Sequence, residues 1–167
     1  MLKCAVYLAV TGMLSFLLGR LIPPDQLEWN RFPYKLCRFE REGRIYRKIH
    51  IHHWQNKVPD MSKICPRLIP PKRLTSMDKD TLLRMIQETC IAELIHMILC
   101  LTGLYCIILW PGAGGISLAV LNVLLFNLPF VLIQRYNRPR LVRLYKRQIE
   151  RRCKRHHVNP DPDLRHR

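Results

Sequence analysis

Glu93 and His96 are the pair from which a reaction can be built. They stand three residues apart in the apolar run 91–110, IAELIHMILCLTGLYCIILW. Residues i and i+3 share one face of a helix. An ionisable side chain inside an apolar span is costly, so it is a functional candidate by default. A histidine titrates near neutrality and can take a proton as a general base, with a carboxylate beside it to orient the ring or hold its charge. The structural alternative is a buried polar pair that fixes helix packing.

A second group lies at the end of the next apolar run. Asn127 precedes the string Gln134-Arg135-Tyr136-Asn137-Arg138-Pro139-Arg140. Three arginines so close together suit a phosphate or carboxylate, because the guanidinium fork binds such groups bidentately. The alternative is a basic anchor against lipid headgroups. On a helix rising about 1.5 Å per residue, Asn127 is about 10 Å from Gln134, and His96 is about as far from Cys90. If the two runs form an antiparallel hairpin, His96 and Asn127 can meet across it. The remaining candidates are Asp60 as a second base and Lys57 as a second anion contact. Trp54 has the character of a membrane-interface anchor. His50, His52 and His53 form a cluster without recognised metal-ligand spacing, so no metal site is expected. His156 and Asp161 have a His-x4-Asp spacing, but they sit in a proline-broken basic tail with no apolar support and are discounted.

These side chains need a frame, and the apolar residues supply one. The chain of 167 residues is 49% hydrophobic yet carries a formal net charge of +16. The two properties are segregated. Apolar residues fill 4–18, 91–110 and 116–133, and a span needs about 20 of them. The expected spans are about 4–22, 91–110 and 113–133. The first has a signal-peptide look, but Arg20, Pro23 and Pro24 replace a small-residue cleavage site, so an uncleaved anchor is expected. Between the second and third lies the uncharged Pro111-Gly112-Ala113-Gly114-Gly115, read as a tight turn of breakers.

Lys and Arg set the expected orientation. Of 28, 15 fall within 20–88 and 12 within 135–167. The positive-inside rule then places both basic segments in the cytoplasm and the N-terminus outside. Charge that follows the membrane in this way needs no nucleic acid to explain it. Seven cysteines, an odd number with no CxxC pair, point to neither a disulfide framework nor a zinc site.

The segment 23–90 is too long for a plain loop. Residues 34–54 mix basic groups with Phe39, Ile45, Tyr46, Ile49, Ile51 and Trp54, and read as amphipathic material on the membrane surface. Pro66, Pro70 and Pro71 break it. Ser76 or Asp78 caps a new helix, with Leu82, Leu83, Ile86 and Cys90 on one face. No breaker is evident from Asp80 to Trp110, so one uninterrupted helix is expected there. The tail 134–167 begins polar and continues as a basic amphipathic helix over 141–154, fraying past His157. The fold class is therefore an all-α membrane protein, three transmembrane helices with a cytoplasmic, interfacial helical subdomain, in a single domain 1–167.

Trp54-Gln55-Asn56-Lys57-Val58-Pro59-Asp60, then 88–96 (ETCIAELIH), Asn127-Leu128-Pro129 and 134–141 (QRYNRPRL) together resemble the glycosyl-4,4'-diaponeurosporenoate acyltransferase family. Members are small bacterial membrane enzymes of staphyloxanthin-type carotenoid biosynthesis. The resemblance runs from about 54 to 141, and QRYNRPRL is its most specific element. It implies transfer of a fatty acyl group to the sugar hydroxyl of a glycosylated carotenoid. The chain departs from the carotenoid enzyme at His50–His53 and at Gln55 and Asn56, which bears on the acceptor more than on the reaction.

The expected function is acyl transfer from an acyl thioester, acyl-CoA or acyl carrier protein, to a hydroxyl or amine of a glycolipid- or carotenoid glycoside-like acceptor. No other cofactor is expected. His96 would deprotonate the acceptor, Glu93 would support it, and Asp60 is the second base. Trp54, Lys57, Asn127, Gln134, Arg135, Tyr136, Asn137, Arg138 and Arg140 are the candidate substrate contacts. Among them, Asn127, Asn137 or Arg135 would stabilise the oxyanion, and Arg138 and Arg140 would hold donor phosphates. No serine or cysteine has an evident base beside it, so direct transfer is favoured over an acyl-enzyme. Expected partners are the donor, the acceptor, membrane lipids and a second copy, since three spans make a thin shell around a lipid. The competing class is a non-enzymatic scaffold or lipid-binding protein with basic patches. A proton or ion pathway through Glu93, His96 and the arginines is a further alternative.

Overall fold

A computed structural model describes residues 1–38, 40, 44–55, 57–58 and 78–158, with Arg44, Arg152 and 155–158 as backbone only. Their regular structure is helical. α1 is Leu2–Leu21, followed by a 3-10 turn, Pro24–Gln26. Two short helices follow, α2 (Arg44–Lys48) and α3 (Ile51–Trp54), separated by His50 in the left-handed region at φ 53°. α4 is Lys79–Gly103, α5 Cys106–Leu109 and α6 Ala113–Leu121. A π-helical turn, Asn122–Asn127, leads into α7, Leu128–Val158.

Three stretches are long and apolar enough to cross a membrane: Leu2–Leu21, Lys79–Leu109 and Ala113–Arg151. Side chains such as Leu101, Ile108, Leu125 and Phe126 stand outward, as lipid-facing residues do. α4 and α7 run antiparallel and carry the main packing seam. On α4 the buried positions Leu82, Ile86, Thr89, Cys90 and Glu93 recur at helical spacing, so one stripe faces the seam. α1 packs against α4 in the opposite direction. Tyr7 donates to the Thr102 carbonyl at 2.9 Å near one end, and Gly19 lies against Ile95 near the other.

Four details depart from the sequence expectation. The helix expected from Asp80 to Trp110 stops at Gly103, and Leu104 and Tyr105 close tighter i→i−3 bonds before α5 begins. The break has a cause in α4's neighbour. A Cβ on Gly103 would sit 1.9 Å from Asn122 Nδ2, so glycine is the residue that admits that amide, at some cost in helix propensity. The expected five-residue turn is also shorter. Only Gly112 takes a positive φ, 104°, while Gly114 and Gly115 lie inside α6. They are small because Trp110 packs there: added Cβ atoms would come within 2.6 Å of its ring and 2.1 Å of its carbonyl oxygen.

The third departure concerns the described part of 34–54, which packs on α7 as well as presenting basic groups outward. Tyr46 and Ile51 form a buried cluster with Tyr136, against which Trp54, Leu132 and Ile133 pack. The last is the join between span 3 and the basic tail. No boundary marks it, because α7 continues through Pro139 to Val158. At the start of α4, Asp78 holds the N-cap position and Asp80 the first turn, where acidic groups are favoured. Ser76, Phe39, the prolines at 66, 70 and 71, and Asp161 lie outside the described residues.

The glycine geometry yields a test. Gly115→Ala is expected to destabilise the hairpin by roughly 1–3 kcal/mol through overpacking. Gly12→Ala, with nothing within 4 Å of its added Cβ, is expected to be neutral. Thermal unfolding of both variants in the same detergent checks the contrast.

Candidate active site

A line of polar pairs runs along the seam between α4 and α7. From the hairpin turn toward the basic end, Asn122 meets Leu99, Asn127 meets His96, Arg135 meets Glu93 and Arg138 meets Thr89. The α4 partners step by three or four residues, one turn at a time, so they form a single stripe.

The first two pairs form a relay. Asn122 Nδ2 donates to the Leu99 carbonyl at 3.0 Å. Asn127 Nδ2 donates to the Asn122 carbonyl at 2.9 Å and to its Oδ1 at 3.1 Å. Asn127 Oδ1 is thereby left as the atom 3.0 Å from His96 Nδ1. An amide oxygen only accepts, so the network assigns the proton to Nδ1 and the lone pair to Nε2. Nε2 has no hydrogen-bond partner among the described residues. Phe130 stacks on the same imidazole, with centroids 4.4 Å apart and planes 7° apart. The ring is thus held in orientation and tautomer, with its basic nitrogen available.

The π turn makes the relay possible. Asn122 and Asn127 are five residues apart, which an α-helix turns to different faces. With i→i−5 bonding, seen at the turn's end from Leu128 N–H to the Val123 carbonyl, they come together. Pro129 follows immediately. It has no N–H to offer the Leu125 carbonyl, so one bond of the regular α ladder is missing at this point.

The next two pairs belong to a buried ionic cluster. Glu93 is fully buried, at 0% exposure, and both its oxygens accept from guanidinium groups. Arg135 Nε donates to Oε1 at 2.7 Å, and Arg138 Nη2 donates to Oε2. Arg135 also donates to Glu40 Oε1 at 2.5 Å and to the Pro33 carbonyl at 2.8 Å. Arg138, 2% exposed, donates to Thr89 Oγ1 at 2.9 Å, the Thr89 carbonyl at 3.1 Å and the Tyr34 carbonyl at 2.8 Å. Glu40 completes its shell with the Tyr46 hydroxyl and with Cys37 N–H at 2.5 Å. Two carboxylates and two guanidiniums make the cluster formally neutral, the condition under which buried charge is tolerable. Tyr46 titrates well above the usual phenol range, first because it is buried and then because it donates to the Glu40 carboxylate.

The geometry redistributes the roles expected from sequence. His96 and Asn127 do meet across the hairpin. Glu93 shares their seam, but it faces Arg135 and Arg138, so Asn127 rather than Glu93 orients His96. Arg135, expected at the oxyanion, and Arg138, expected on the donor phosphates, are both engaged with internal partners. Arg140 is exposed, lies 4.0 Å over the Tyr136 ring and donates to that hydroxyl. Tyr136 is itself core, at 2% exposure. Trp54 donates Nε1 to the Ile49 carbonyl at 3.1 Å and packs on the Tyr46 cluster. Gln134 and Asn137 are partly exposed, and their amides have no hydrogen-bond partner among the described residues. Lys57 is exposed, and Asp60 lies outside the described residues. His50, His52 and His53 pack ring against ring, His50 stacked on His53 and His52 tilted against both, with 4.0 Å between the centroids of His52 and His53. Among the described residues no group of three or more His, Cys, Asp or Glu is arranged to hold a metal ion.

Sequence reasoning missed Glu40, Thr89, Asn122 and Gly103 as parts of this machinery. Asn122 had a signal, being a second asparagine in an apolar span, but only the π turn aligns it with Asn127. Glu40 offered none beyond being an acid among basic residues.

The family model for glycosyl-4,4'-diaponeurosporenoate acyltransferase matches residues 30–147, a range that contains the relay and the ionic cluster. Glycosyl-4,4'-diaponeurosporenoate acyltransferases of Staphylococcus aureus strains MRSA252, RF122 and N315 are each 30% identical to the chain over 155 residues, covering 92% of both sequences. No solved structure matches the chain.

Two tests follow from the geometry. Arg138→Ala leaves Glu93 buried with half its compensation, and a loss of roughly 3–5 kcal/mol is expected. Arg138→Lys is expected to recover little of it, because one ammonium cannot reach Thr89, Tyr34 and Glu93 together. Unfolding by heat or denaturant in detergent measures both. Gly103→Ala displaces the Asn122 amide, and the double variant Gly103→Ala/Asn122→Ala relieves that clash without restoring the relay. The double variant is expected to regain thermal stability while both variants stay low in turnover. Parallel melting curves and product assays read the separation.

Proposed function

The chain belongs to the glycosyl-4,4'-diaponeurosporenoate acyltransferase family and is an acyltransferase with three membrane-spanning helices, and on that premise we propose that His96 is the general base of its transfer reaction. The donor is an acyl thioester, of CoA or a carrier protein. The acceptor is a hydroxyl or amine on a glycolipid- or carotenoid glycoside-like molecule. The observation that carries this reading is the Asn122–Asn127–His96 relay, which leaves Nε2 as the unoccupied basic nitrogen of a positioned ring.

In the proposed step the acceptor hydroxyl donates its proton to Nε2 while its oxygen attacks the thioester carbonyl. The tetrahedral intermediate then collapses, the C–S bond breaks, and the thiolate takes the proton from the imidazolium. Acceptor ester and free thiol are the products, and the histidine is neutral again. Gln134 is the favoured substrate contact. It lies seven residues beyond Asn127, two turns on and on the same face, with an amide free to donate toward the oxyanion or the acceptor sugar. Glu93 is a positioning residue that holds α7 in register through its arginines.

The proposed orientation has the N-terminus outside and the long basic segments in the cytoplasm of a bacterial cell. The distribution of Lys and Arg supports it. His96 then lies within the cytoplasmic half of the bilayer, within reach of a thioester made in the cytoplasm and of an acceptor dissolved in lipid. A homodimer would add apolar wall around such a substrate.

Lipid mass spectrometry on cells expressing wild type or His96→Ala, matched for folded protein, tests the reading. A lipid that gains a fatty acyl mass with wild type should fall by about 10²–10⁴-fold with the variant. Equal product from the two proteins would remove His96 from the chemistry.

A further inference from the structure

The ionic cluster leaves one side of Arg138 toward a cavity that neither the relay nor the cluster occupies. It measures about 390 Å³ and lies between the segment 29–36 and the basic half of α7. Trp29, Leu36 and Val142 give it apolar walls, while Lys35, Arg143 and Lys146 lie exposed around it. Among the described residues that line it, none is acidic. Lys35, Arg143 and Lys146 also form no ion pair with any described carboxylate.

Such a cavity selects a particular chemistry. Its walls favour an apolar or weakly polar arm, and three cations at its margin favour a multiply charged anion. Arg138 is fully engaged inside the cluster, so the anion falls to the three exposed cations. The cavity also lies at a useful distance from the proposed base. Asn127, which touches His96, is eleven residues or about 16 Å before Arg138, where the cavity begins, and sixteen residues or about 24 Å before Arg143, the first of its exposed cations on α7. That span is the scale of an extended phosphopantetheine arm with the reach of an arginine side chain added. An acyl thioester whose phosphate end rested here could extend along α7 toward Nε2.

We infer that this cavity is the donor-head site, receiving the phosphate-bearing end of the pantetheine thioester while Lys35, Arg143 and Lys146 hold the phosphate. The inference rests on the acyl-transfer reading and adds where, and by what group, the donor is held. CoA and the prosthetic group of a carrier protein share this phosphate-pantetheine chemistry.

The test uses the full chain in nanodiscs of zwitterionic lipid. Free CoA and holo-acyl carrier protein are titrated against wild type and against the variant Lys35→Gln/Arg143→Gln/Lys146→Gln, whose changes are all at exposed positions. Binding of at least one of the two is expected for wild type. It should weaken about tenfold or more in the variant, with the KM for the corresponding acyl donor rising in parallel. Binding of CoA alone, or of the carrier protein alone, names the source. Equal affinity in the two proteins overturns the site. So does binding by neither ligand, or a loss in the variant confined to anionic phosphatidylglycerol vesicles, which would make the three cations a lipid contact. Failure of the underlying reading looks different. If CoA binds with the expected dependence but no acyl transfer occurs with any donor, the site stands and the acyl-transfer reading falls. If transfer proceeds with a KM that ignores the three cations, the reading stands and the site falls.

Discussion

The buried carboxylate of Glu93 is the constraint on which the rest of the molecule depends. A charge this deep is tolerable only with opposite charge and hydrogen bonds around it, and the protein supplies both from three parts of the chain. Arg135 and Arg138 come from α7, Thr89 from α4, and Glu40 with the carbonyls of Pro33 and Tyr34 from the segment before α2. The cluster therefore sets the register of the α4–α7 seam. Sliding α7 by one turn would leave at most one arginine opposite Glu93 and break the paired arrangement. It also explains why the segment after α1 lies folded against the bundle, since without it Arg135 would lose Glu40 and Arg138 would lose a carbonyl.

That register in turn positions the relay. His96 lies one turn from Glu93 on the same stripe, so once Glu93 is docked the imidazole must face the π turn. There the helix departs from α geometry just ahead of Pro129, and the departure brings two asparagines onto one side. Gly103 supplies the space that the second asparagine needs. An irregular turn, a proline and a glycine thus act together to orient one ring, while the charged groups act at a distance as a clamp.

The same division organises the surface. Arginines that face inward are neutralised and structural. Cations that face outward, at Lys35, Arg143 and Lys146, have no described acidic partner, and they border apolar walls. The two inward-facing cations of the cluster are both arginines, and burial separates their physical work from that of the exposed lysines and arginines.

Much of this architecture was legible before any coordinates. Three apolar runs of spanning length, a helical face of Leu82, Ile86 and Cys90, and the concentration of basic residues outside the spans all follow from local composition and period. Glu93 and His96 stood out because charge inside an apolar run is expensive wherever the run folds. The family strings, QRYNRPRL above all, pointed to acyl transfer. The sequence could not say which groups those residues would meet. Glu93 was paired in expectation with His96, its neighbour in the chain, because local spacing is all a sequence displays. Its actual partners, Arg135 and Arg138, are more than forty residues away. Arg135 and Arg138, read as substrate forks, meet internal carboxylates for the same reason. Asn122 joined the site only through a π turn, a small change in hydrogen-bond period that composition does not reveal. Local pattern determined the elements and the candidates. Only tertiary packing, which decides which turn of one helix lies opposite which turn of another, assigned each charge its partner.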